Sequence, residues 1–216
     1  VTYSPSGKHL AVSSKKGRLW ILDPCSGAIE LTAFITDGFP GLFTGANRFL
    51  VYSPCEDRIA ATHGLPCRTA SNVVSLNVDL GVLDFVVTIR SVCLTSVAYA
   101  PNGQRLAITD IEGHLHVLRA NTGRVARSVS LGPVSLQPDA GMAVCYSPCG
   151  NNILVVAPRT ADHRKAHIWI LNADAALVQE RIIHGGPWRP QDVCYAPNGR
   201  SIAIAFDYCQ IGRAHV

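Results

Sequence analysis

The chain has 216 residues, 48% of them hydrophobic and 16% charged, and its formal net charge is +4. This apolar content is enough for a sizeable core and excludes a disordered chain. The mild charge excludes a dedicated nucleic-acid binder, whose basic balance is much stronger. No apolar run reaches the ~20 residues of a membrane helix. The eight cysteines, at 25, 55, 67, 93, 145, 149, 194 and 209, include no Cys-x-x-Cys pair. In a chain of this length we expect them to remain free thiols in a reducing compartment, the cytoplasm or the nucleus.

Read in chain order, one pattern returns: apolar, any, Tyr, small, Pro, then a turn and a short apolar run. It opens as Val1-Thr2-Tyr3-Ser4-Pro5-Ser6-Gly7 and has a weaker copy in Tyr52-Ser53-Pro54-Cys55-Glu56-Asp57. It is clear again in Val97-Ala98-Tyr99-Ala100-Pro101-Asn102-Gly103, Val144-Cys145-Tyr146-Ser147-Pro148-Cys149-Gly150 and Val193-Cys194-Tyr195-Ala196-Pro197-Asn198-Gly199. The tyrosines are spaced by 49, 47, 47 and 49 residues, so repeat units start near 1, 49, 96, 143 and 192.

The third unit shows what one repeat encodes. Residues 96–100 form an apolar inner strand, and Pro101-Asn102-Gly103 turns the chain, Pro by its fixed φ and Asn-Gly by tolerating positive φ. Residues 105–109 are a second strand, 110–113 a tight turn, 114–118 a third strand, 121–123 a turn and 124–131 an outer strand. Even spacing, turn signals and no helical period predict an all-β chain. A period of ~40–50 residues with four strands per unit predicts a β-propeller of four-stranded antiparallel blades. Four units and the first two strands of a fifth are present, whereas a seven-bladed ring takes roughly 330 residues at this period. We therefore expect an incomplete ring over residues 1–210, with apolar faces uncovered on the two end blades.

The last six residues, Ile211-Gly212-Arg213-Ala214-His215-Val216, resemble the translation of a short-read sequencing adapter and are set aside as a scar. With an opening inside a repeat, this leads us to expect a longer parent chain.

These units resemble WD repeats. The likeness lies in Tyr-Ser-Pro or Tyr-Ala-Pro closing the inner strand, the glycine turn, the Leu-Ala strand, and a Trp-bearing third strand. That third strand reads Arg18-Leu19-Trp20-Ile21-Leu22-Asp23 in the first unit and His167-Ile168-Trp169-Ile170-Leu171-Asn172 in the fourth. The third unit has Leu115-His116-Val117-Leu118-Arg119 there, without Trp. The Trp-Asp dipeptide and the Gly-His pair of the family are absent, so its buried Asp-His-Ser-Trp network is expected to be incomplete, leaving apolar packing to hold the blades. The resemblance implies a non-catalytic scaffold that assembles other proteins. Tyr195-Ala196-Pro197-Asn198-Gly199-Arg200 is also similar to TolB-type repeats, which implies the alternative of a propeller gating a serine peptidase or hydrolase.

Candidate contact residues cluster in two loops. Residues 158–166 carry Arg159, His163, Arg164 and Lys165 against one acid, Asp162, and the segment before the fifth unit carries Trp188 and Arg189. Together they predict a basic patch with an aromatic, suited to an acidic peptide or phosphate group of a protein partner. His163 and His167 fit no zinc spacing with Cys145 and Cys149. His114 and His116 share one strand face and read as packed or hydrogen-bonded, and Asp110 and Glu112 read as a solvated turn pair. No Gly-x-Ser-x-Gly elbow or P-loop occurs, so no catalytic residue, cofactor, metal or small-molecule substrate is expected.

Overall fold

The computed structural model describes residues 1–14, 17–35, 49–64, 70–91, 93–132, 141–158, 165–184 and 189–207. Among them there is no helix, and so none long and apolar enough to cross a membrane. The chain is all-β. Its first sheet holds β1 (Thr2–Tyr3), β2 (Leu10–Ser13), β3 (Arg18–Leu22) and β4 (Ile29–Phe34). The second holds β5 (Phe49–Tyr52), β6 (Arg58–Gly64), β7 (Ser71–Asn77) and β8 (Leu83–Ile89). The third holds β9 (Leu94–Tyr99), β10 (Arg105–Asp110), β11 (His114–Arg119) and β12 (Val125–Ser130). The fourth holds β13 (Ala143–Tyr146), β14 (Asn152–Pro158), β15 (Lys165–Asn172) and β16 (Leu177–His184). β17 (Arg189–Tyr195) and β18 (Ile202–Asp207) form a two-stranded fifth sheet. Every pairing is antiparallel and between sequence neighbours, the meander of a propeller blade, and the third unit's four strands fall within two residues of their expected spans.

Two local devices make the units alike. After each tyrosine, the amide of the fourth following residue bonds the carbonyl of the first in a tight turn, as in Gly7 to Ser4, Glu56 to Ser53 and Gly103 to Ala100. The left-handed residue there is glycine in four units and Glu56, φ 64°, in the second, which explains the weak copy. Side chains of the turn also satisfy the two amides that follow it. Ser4, Ser53 and Ser147 accept with Oγ from the sixth residue after the tyrosine, His9, Arg58 and Asn152. In the units with Ala100 or Ala196 there, Asn102 and Asn198 accept with Oδ1 from the fifth residue, Gln104 and Arg200, as Ser6 Oγ does from Lys8 in the first unit. Tyr-Ser-Pro and Tyr-Ala-Pro-Asn thus tie down neighbouring amides of the same turn with different side chains.

The second device is a register shift in every third-to-fourth strand pair, falling just before Leu22, Leu76, Leu118 and Leu171. It re-aims the outer strand and raises its twist.

The core lies between sheets. Leu19, Ile21 and Ala11 of the first sheet pack against Tyr52, Ile59 and Val74 of the second. Ala60 and Val73 pack against Tyr99, Leu106 and Ile108 of the third. Leu115 and Val117 pack against Tyr146, Val155 and Trp169 of the fourth. Leu154, Val156 and Ile168 pack against Val193, Tyr195 and Phe206 of the fifth. Each interface therefore receives one inner-strand tyrosine from the following sheet.

Among the described residues the first and fifth sheets have a neighbour on one side only, and the first sheet's open face exposes aromatic side chains. Tyr3 is 61% exposed, against 8% for both Tyr99 and Tyr146. Trp20 on the same open face is half-buried, with the Arg18 guanidinium 5.8 Å from its ring centre. Cys194, which sits in an apolar run, is exposed because no sheet covers that side of β17, whereas Cys93 and Cys145 are partly buried. Lys15 and Lys16, together with residues 211–216, lie outside the described residues.

Candidate functional sites

Of the expected basic patch, Arg159, His163, Arg164 and Trp188 lie outside the described residues. Lys165 opens β15 and pairs in register with His184, and Arg189 opens β17. The strand ends that bound the two predicted loops therefore meet at the same end of the fourth and fifth sheets.

A different cluster is fully described. β10 ends in Asp110, which the sequence suggested would be solvated; it is instead buried, 1% exposed. The reason is local. Asp110 Oδ1 accepts the Glu112 amide at 3.0 Å and the His114 amide at 2.8 Å, closing the turn into β11 around Gly113, φ 88°. Its other oxygen, Oδ2, lies 3.1 Å from His114 Nδ1 and 3.2 Å from His116 Nε2. His116 Nδ1 in turn meets Ser128 Oγ of β12 at 2.8 Å. Ring N–H groups at His114 Nδ1 and His116 Nε2 can both donate to Oδ2, and the Ser128 hydroxyl can donate to His116 Nδ1 or accept from it. Burial acts most strongly on the Asp110 carboxyl and pushes its pKa up. The bonds from His116 and His114 and the His114 charge together outweigh burial and hold it below its ordinary range. Leu118 follows His116 on the same face and lies in the core shared with the second sheet, so the cluster sits on the side of the third sheet that faces the second. Sequence reasoning found the histidines' shared face but not the carboxylate between them.

A polar groove of about 550 Å³ runs across the turns of the second and third sheets, lined by Cys55, Arg58, Gln104, Arg105, Arg119 and Asn121 among others. Arg58 pairs with Asp57 at 2.7 Å and Asp84 at 2.8 Å. Arg105 pairs with Asp174 at 3.2 Å and donates to the Ala173 carbonyl. Arg119, at the end of β11, is exposed and has no side-chain bond or ion pair among the described residues. The signal for this groove was present in the repeats: Arg58 and Arg105 both follow their tyrosine by six places. It was overlooked because the net charge is spread over the whole chain rather than concentrated in a run.

Among the described residues no nucleophile, base and oxyanion donors converge in this groove or at the Asp110 cluster. The six described cysteines, at 25, 55, 93, 145, 149 and 194, are all free. The chain matches no known family model, and no curated protein is similar enough to it to serve as a relative.

Proposed function

We propose that this chain is a WD-repeat-type scaffold of the cytoplasm or nucleus, which binds acidic segments of other proteins and carries out no chemistry itself. The observation that supports this most directly is the arginine-lined groove. Its walls are turns fixed by backbone hydrogen bonds at 53–58 and 100–105, so it is held in shape before any partner arrives. Arg58 and Arg105 are oriented by their ion pairs, and Arg119 projects a guanidinium suited to bidentate capture of a carboxylate or phosphate. Asn102, Gln104 and Asn121 add neutral donors and acceptors beside it. The expected patch around Lys165 and Arg189 adds positive charge at the opposite ends of strands.

Arg119→Glu tests this reading, because Arg119 has no side-chain partner among the described residues and its reversal should leave the fold intact. Fluorescence anisotropy with a labelled acidic peptide should show at least a tenfold loss of affinity, and native binding should weaken with added salt. An affinity unchanged by both the substitution and salt rules out the groove as the contact surface. A Lys165→Glu variant then shows whether the other patch carries the binding.

A further inference from the structure

Beyond partner binding, we infer that Asp110, His114 and His116 form a site for a divalent transition-metal ion of the zinc class. Their ligand atoms all lie within 4.8 Å of one another, and the carboxylate oxygen is 3.1 Å and 3.2 Å from the two imidazole nitrogens. A tetrahedral ion with bonds of about 2.0–2.1 Å sets neighbouring ligand atoms roughly 3.3 Å apart. Two edges of that figure already exist. The third closes by rotation of the His114 ring, whose side chain is 37% exposed and also gives the ion its entry path.

The supporting shell is in place. Asp110 Oδ1 is occupied by two backbone amides, which leaves Oδ2 for the ion. Ser128 Oγ engages His116 Nδ1, the contact that fixes the tautomer of a ligating histidine. Glu112 Oε2 lies 4.0 Å from His114 Nδ1 but outside the compact triad, so the fourth position is left to water or to Glu112 once its side chain turns. Each ring moves its N–H to the other nitrogen, so that Nδ1 of His114 and Nε2 of His116 present lone pairs. The new N–H of His116 donates to Ser128 Oγ. Two imidazoles and a carboxylate select zinc, cobalt, nickel or copper over calcium or magnesium, which prefer all-oxygen shells.

The repeats supply a separate argument. At the register positions of Asp110 and His116, the first sheet has Ser14 and Trp20, the second His63 and Val74, and the fourth Ala157 and Trp169. Those sheets form the same strand pairing without the triad. The triad is therefore a departure of the third sheet alone, not a requirement of the blade.

The test uses the full chain stripped with a chelator and titrated with ZnCl2 and, separately, CoCl2. We expect one ion per chain by calorimetry. Cobalt should give visible ligand-field bands without the near-ultraviolet charge-transfer band of thiolate ligands. His114→Ala and His116→Gln should each weaken binding at least tenfold, and Cys149→Ser should leave it unchanged. If His116→Gln fails to fold, ring-nitrogen NMR of the native protein replaces it, with zinc expected to shift His114 and His116 selectively. Retention of no ion, a thiolate band, or unshifted histidine rings overturns the proposal.

Discussion

Tyr146→Ala is expected to cost about 3–5 kcal/mol, and Tyr99→Ala a similar amount, as truncation of a large aromatic in a core does. Each ring fills the seam between two sheets, Tyr146 against Leu115 and Val117, Tyr99 against Ala60 and Val73. Tyr3→Ala, at the same place in the repeat, should cost less than about 0.5 kcal/mol, because its ring faces no neighbour. Thermal unfolding of the three variants checks the ordering, with a difference near 10 °C expected from a shift of about 2–4 °C per kcal/mol. If all three behave alike, the tyrosines do not mark the sheet interfaces.

Their hydroxyls add a second readout. The Oη atoms of Tyr52, Tyr99 and Tyr146 are buried without a hydrogen-bond partner among the described residues, although Tyr99 points toward Ser75. Burial pushes the three phenols up from 10.0 to about 12. A raised folded pKa stabilises the native state fully below the unfolded value, and that contribution disappears as pH rises through the folded one. Stability should therefore fall between pH 10 and about pH 12. Replacing all three by Phe should flatten that fall, which denaturant titration at several pH values would measure. The Phe variants should be no less stable at neutral pH, since each removes an unpaired buried polar atom.

Gly123→Ala should cost about 2–4 kcal/mol, through two separable effects. Gly123 has φ 68°, where an L side chain meets its own backbone at a cost of roughly 1–2 kcal/mol. Its added Cβ would also stand 2.5 Å from Phe85 Cδ2 of the second sheet, so the ring must move out of the seam. Gly27 is the matching residue of the first sheet, with φ 70° and nothing within 4 Å of its Cβ. Gly27→Ala thus carries the backbone cost alone, and the difference between the two variants isolates the contact with Phe85. Equal losses in denaturant unfolding would mean that Phe85 moves aside freely.

The fold was legible because its signals recur. A tyrosine, a Pro turn and a glycine at a period near 47–49 residues locate each inner strand and the turn after it. The alternation in β10 and β11 then determines which residues face which neighbour. The sites were less legible for the opposite reason: they depend on departures from the repeat. Asp110 reads as a solvated turn acid until its two amides and two imidazoles, from the turn and from β11, are seen to surround it. The groove needs Arg119 to lie beside Arg58, 61 residues earlier in the chain, a proximity set by sheet stacking and invisible to local spacing.

The open faces of the first and fifth sheets have a consequence for how order is distributed along the chain. An interior sheet is held from two sides and an end sheet from one, so the free energy of opening is not shared equally. With short-range meanders and, among the described residues, core clusters shared between successive sheets, the molecule should behave as a row of coupled units rather than one cooperative block. Fraying can run inward from Tyr3 or from β18 one seam at a time. The third sheet, which carries the histidine cluster and one wall of the groove, has a sheet on each side and is the last that such fraying would reach.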